Sequence, residues 1–135
     1  MWRYASALTV ALLVSVPAVA GAQSGPTRAT VRAAVFAADS AAVTLAQLAS
    51  SQGADDLLRA VRLAVRSATL FDASGATLSK PQASLRDDMA GVSDDIAPRL
   101  LRELMSNEGQ FVGNEASGLA TYAAIIHSQS GKLLK

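Results

Sequence analysis

Apolar residues recur along this chain at alternating spacings of three and four, the signature of helices with one buried face. The clearest run is TRATVRAAVFAADSAAVTLAQLASSQG, punctuated by Pro26 ahead of it and Gly53 behind. Val31, Val35, Ala38, Ala42, Leu45 and Ala49 form its seam. Phe36 and Val43, seven residues apart, define a second face, so this helix is expected to lie well inside the fold. The next run, ADDLLRAVRLAVRSATLF, opens on Asp55 and Asp56, carboxylates suited to a helix N-terminus. Its apolar face is read as Leu57, Leu58, Val61, Ala64, Val65, Ala68 and Phe71. Asp72 to Ser84 reads as a loop, with Ser84 to Asp87 as a capping box. The third helix is expected to break near Gly91–Pro98 and resume with Leu100, Leu101, Leu104 and Met105 as its apolar side, stopping near Asn107. Asn114 then caps a last helix whose seam holds Leu119, Tyr122, Ile126 and Leu133.

Composition narrows the class. Half of the 135 residues are hydrophobic, yet only 4% are aromatic, and alanine dominates the apolar set. Alanine has the best helix propensity, whereas strands draw on β-branched and aromatic residues. The pattern predicts an all-α fold, a four-helix bundle with its third helix broken.

The first residues are set apart from this fold. MWRYASALTVALLVSVPAVAGAQ has one early charge, Arg3, then an apolar run from Ala5 to Val16, Pro17, and small residues. That order reads as a signal peptide over residues 1–22, cleaved after Ala22 in preference to Ala20, with the bundle domain over 23–135. The apolar run is shorter than the ~20 residues that span a bilayer, so no membrane insertion is expected after cleavage. A periplasmic or secreted location follows. Losing Arg3 leaves eleven basic and eleven acidic residues, a balance that gives no electrostatic case for nucleic acid. With no cysteine, the domain must hold together by packing alone.

The chain lacks the signatures of most site chemistries. Three Asp-Asp pairs, Asp55-Asp56, Asp87-Asp88 and Asp94-Asp95, are read as helix-start acids, because neighbours on a helix point ~100° apart and do not chelate together. A di-iron bundle needs a Glu-x-x-His pair on each of two helices. Here the single histidine, His127, has Ala124 three residues before it. No Gly-x-Ser-x-Gly elbow, P-loop or dinucleotide fingerprint occurs. No metal, no cofactor and no catalytic residue are assigned, and enzyme function is the minority expectation.

What stands out is a stripe on the second helix. At ~100° per residue, Arg59, Arg62 and Arg66 cluster on one side, with Asp55 four residues before Arg59. The simplest reading is a solvated face. Leu63 and Leu70, expected to project beside the arginines, make the stripe the candidate docking surface for a protein partner or a second copy.

With the export signal and helix count in hand, AAVTLAQLASSQGADDLLRAVRLAV resembles a known family. It is similar, from Ser40 to about Leu70, to the exported bacterial family called domain of unknown function 4142. The family's Glu-Val-Glu-Leu-Gly-Lys-Leu-Ala motif corresponds to Ala42 to Ala49, and its Val-Lys-x-Phe-Ala-x-x-Met helix to Leu58 to Val65. Apolar positions agree and polar ones mostly differ. Where members place Asp-His, this chain has Ala68 and Thr69, so no metal or polar-cluster role carries over. The resemblance implies a ferritin-like fold and an exported location rather than an activity. It supports a cell-envelope binding or structural protein, as a degenerate member. The alternatives are a degenerate metal-dependent enzyme using His127, or a carrier of a small apolar ligand.

Overall fold

The computed structural model describes residues 24–135; the expected leader, residues 1–22, lies outside them. The described chain is all-α, with no strand.

Helix α1, Gly25–Ser51, starts on Ser24, whose hydroxyl accepts the Thr27 amide at 3.3 Å, with Pro26 in the first turn. Its expected seam is inside: Val31, Val35, Ala38, Ala42 and Leu45 are buried and Ala49 partly so. The helix is buried on a second side too, but through Ala34, Ala41, Thr44 and Leu48. Phe36 and Val43, expected there, are 53% and 44% exposed. α1 is long and apolar enough to cross a membrane by length and composition, yet half of its most apolar window is buried within the fold. Its apolar character fits a core helix, packed between α2 and α5.

α1 ends at Gln52, in the left-handed region at φ 50°, with its N–H donating to the Leu48 carbonyl at 2.8 Å. Gln52 and Gly53 are the whole connection to α2, Ala54–Ala73, so the two helices run antiparallel. α2 buries Leu57, Ala60, Ala64, Ser67 and Phe71, spaced three and four apart. Where α1 meets α2 the facing residues are mostly alanine, which lets the backbones approach closely. Ser67 uses that proximity: its hydroxyl, fully buried, donates across to the Ala34 carbonyl at 2.7 Å.

A short loop with Gly75 at φ 66° leads to α3, Lys80–Gly91. The helix is capped five residues earlier than the capping box expected at Ser84. Ser79 is the cap: its Oγ accepts from the Gln82 amide at 3.3 Å and the Gln82 side chain accepts from the Ser79 amide at 3.0 Å. Pro81 sits in the first turn, where its missing N–H is harmless.

The break expected near Gly91–Pro98 is a change of helix type instead. Val92–Ile96 forms a π turn, with Ala97 N–H bonded to the Val92 carbonyl, and leads without interruption into α4, Ala97–Ser106. Gly91 and Ala97 both keep right-handed helical dihedrals. The reason lies in Pro98. A proline inside a regular helix clashes with the carbonyl four residues back and leaves it unbonded. A wide turn just upstream moves that carbonyl aside, so the helix passes the proline and keeps going.

The connection from α4 to α5, Glu115–Leu134, folds back over the α1–α2 turn. The Phe111 amide donates to Gln52 Oε1 at 2.6 Å, and the Val112 amide to Glu103 Oε1 at 3.2 Å. α5 buries Leu119, Ala123, Ile126 and Ser130, packing on α1 and on α3. One apolar cluster joins all the helices, with Phe71, Leu45, Leu48, Leu85, Met89, Leu100 and Ile126 at its centre.

Gln52 therefore serves twice, as a strained helix end and as the acceptor for Phe111. Gln52→Ala keeps the left-handed strain and removes the acceptor. It is expected to cost about 1–3 kcal/mol, the range for an orphaned amide, read as a lowered urea midpoint.

Candidate interaction surface

The α2 face is turned relative to the expectation. Leu57, Ala64 and Phe71 point inward as expected, and Val61 and Ala68 are half-buried against the core. Leu58 and Val65, expected in the core, are 49% and 45% exposed. Leu63 and Leu70, expected among the arginines in solvent, are half-buried and packed on the core. The physical reason is the alanine-lined contact with α1. Ala60, Ala64 and Ser67 set the inward direction, and that rotates the large side chains at 58 and 65 outward.

Arg59, Arg62 and Arg66 are exposed. Arg59 donates to Asp56 at 2.8 Å, three residues back, rather than to Asp55. Asp56 also accepts the Ser51 hydroxyl at 2.5 Å, and that bond first, with the arginine's help, holds its carboxyl below the ordinary value despite some opposing desolvation. The pair thus braces the α1–α2 turn. Arg62 and Arg66 make no ion pair among the described residues.

Beside Leu58 runs an apolar groove of about 430 Å³ between α2 and the π turn with α4. Ala54, Leu57, Leu58 and Val61 form one wall; Ser93, Ala97, Pro98 and Leu101 form the other. Leu101 is 45% exposed and Met105, one turn on, 77% exposed, although both were expected on the inner side of α4. Leu100 and Leu104, with Ala97, face the core there. The π turn adds a residue to the helix, which sets where α4 presents its side chains.

Polar groups gather on the opposite side of α4. The Arg99 guanidinium bonds Glu115 on α5 and lies 3.7 Å from Glu103. Two carboxylates offset its charge, so this cluster is a brace between α4 and α5 rather than an anion site. Asp88, on α3, is partly buried: that burial, then the neighbouring Asp87 charge, raises its carboxyl above the ordinary value. Tyr122 is pushed up to about 12, by burial and then by Asp88. His127 Nδ1 lies 2.6 Å from Asp39, tying α5 to α1 at the surface. Of the three Asp-Asp pairs, only Asp55-Asp56 occupies a helix start; Asp87-Asp88 lies within α3 and Asp94-Asp95 in the π turn. Among the described residues, no three His, Cys, Asp or Glu side chains are grouped to hold a metal.

The Asp88 shift has a definite sign. A carboxyl raised in the folded state favours folding when protonated, and that contribution is lost as pH rises from 3.8 through the folded value. Asp88→Asn should therefore melt higher than the parent chain at neutral pH, with the difference closing in acid. Thermal melts at the two pH values check it. Tyr122 adds an alkaline counterpart, stability present below pH 10.0 and lost as pH rises towards about 12.

The class these features define is an all-helical domain with an apolar groove on one outer face. Comparison with known proteins places it no further: no family model, no curated protein and no solved structure matches the chain.

Proposed function

We propose that this chain is an exported four-helix bundle of ferritin-like arrangement that serves the cell envelope by binding, without a cofactor, through an outer surface. The leader-like residues 1–22 support export, and the resemblance to domain of unknown function 4142 supports both the arrangement and the compartment. The observation that carries the binding role is the groove. The core closes without Leu58 and Leu101, leaving both half-exposed around about 430 Å³ of apolar space. Exposed apolar side chains gathered on one outer face support a binding role better than the same side chains scattered over the surface. The working surface is thus the α2–α4 side, with Arg62 at its edge. Arg59 is occupied with Asp56, and Leu63 and Leu70 serve packing.

The test is site-specific photo-cross-linking in intact cells, with the probe at Leu101 and, as control, at exposed Gln129 on α5. The expected result is a discrete adduct from position 101 only, in the envelope fraction. Equal labelling from both positions, or none from Leu101, overturns the reading.

A further inference from the structure

We propose that the end of the domain opposite the α1–α2 turn holds a phosphate group, free or as a phosphate monoester, in a basic pocket separate from the α2–α4 groove. The balanced charge of the chain is unevenly placed. Arg28, Arg32, Lys80, Lys132 and Lys135 lie at the end where α1 and α3 start and α5 finishes. Asp55, Asp56, Glu103, Glu108 and Glu115 lie towards the other end, together with Arg59, Arg99 and Arg102. At the basic end a pocket of about 200 Å³ opens between α1, α3 and the last residues of the chain. Arg28, Arg32 and Lys135 line it, and no carboxylate side chain does among the described residues. Counting a main-chain carboxylate at Lys135 against these cations still leaves the lining positive. Asp72 lies at the same end, but on α2, which contributes nothing to the pocket. Asp39, two turns beyond Arg32, is engaged by His127.

Two of the donors are held in place by the fold. One terminal nitrogen of Arg32 donates to the Leu134 carbonyl at 3.0 Å, and the guanidinium lies over Phe36, 5.7 Å from the ring centre. That fixes the planar fork, whose other N–H groups face no acceptor among the described residues. Gln82 gives its Oε1 to the Ser79 amide in the α3 cap, so what it can offer the pocket is its amide nitrogen, a donor. Val31 and Val35, both buried, form the floor with Leu133. Donors over an apolar floor sit in a lower local dielectric than on open surface, which strengthens a charged hydrogen bond. Cations and a donor, without a carboxylate, select an anion. A phosphate monoester, with a charge of about −1.5 to −2 near neutral pH and three acceptor oxygens, meets three cations more fully than a carboxylate does.

Thermal melts of the chain in chloride and in inorganic phosphate, at equal ionic strength and pH, test the site. Flotation on phosphatidylcholine vesicles with and without phosphatidic acid is the second arm. An anion that binds the folded chain raises its melting temperature. The expected result is a rise in phosphate for which Arg32→Gln and Lys135→Gln each require at least about tenfold more phosphate. Lys135 is exposed at the end of α5, so its variant changes the pocket without touching the core. Arg102→Gln, at the opposite end, should respond as the parent chain does. A response to phosphate without flotation marks a soluble phosphate as the ligand. Flotation on the phosphatidic acid vesicles that the same variants abolish marks a lipid headgroup. No response in either arm, or one that Arg32→Gln and Lys135→Gln leave intact, overturns the proposal.

Discussion

Phe71→Ala is expected to lower the unfolding free energy by about 3–5 kcal/mol, the range for deleting a buried aromatic ring. Phe71 is the largest fully buried side chain, 2% exposed, in the last turn of α2. It lies where α2 gives way to the loop before α3, and the chain, without cysteine, has no disulfide to hold that corner if the ring is lost. Domains of ordinary stability have about 5–15 kcal/mol in total, so the variant should be near the edge of folding. Urea titration followed by circular dichroism measures it. A loss below about 1 kcal/mol would show that the corner collapses around the missing ring or is not tightly packed.

Ala64→Leu attacks the same core from the opposite direction. Ser67 bonds to Ala34, so one turn earlier on antiparallel α2, Ala64 faces the region of Ala37 and Ala38 on α1. All three are buried, Ala64 and Ala38 completely. Helices held this close by small side chains have no room for an isobutyl group, and separating them breaks the Ser67–Ala34 bond as well. Overpacking costs about 1–3 kcal/mol, and orphaning a buried hydroxyl adds to it. The same exchange at exposed Ala33 on α1 should change stability by less than about 0.5 kcal/mol. Equal tolerance at both positions would contradict the close approach of α1 and α2.

These two sites also explain what the sequence made legible. The α1 seam was readable because Val31, Val35 and Leu45 are large, apolar and regularly spaced. The class followed from alanine and the scarcity of aromatic residues. The facing direction of α2 was not readable by the same rule. Its true contact is Ala60, Ala64 and Ser67, residues with weak hydrophobic signal, while Leu58 and Val65 carry the strong signal and point outward. Periodicity weighs size and apolarity; close helix contacts select smallness, and there the two diverge. Leu101 and Met105 were misplaced for a related reason, since an apolar side of α4 need not be an inner one.

The remaining differences have local causes. Ser84 offered a capping motif, but Ser79 with Gln82 and Pro81 offered a better one upstream. Gly91 and Pro98 announced a disturbance without saying that a π turn would absorb it. His127 with Asp39, and Gln52 with Phe111, are pairings across 88 and 59 residues that no local pattern contains. The arginine stripe was placed correctly on the surface. Leu63 and Leu70, read beside the arginines, pack on the core instead.

Leu58 and Leu101, 49% and 45% exposed, are spare to the fold, and the proposed binding role depends on that. Thermal unfolding of the double variant Leu58→Glu, Leu101→Glu tests it, at a concentration where the chain is monomeric. The expected result is a cooperative melt and a stability within about 0.5 kcal/mol of the parent chain for each exposed site. A loss of several kcal/mol, or of helicity, would put both side chains in the core and contradict it.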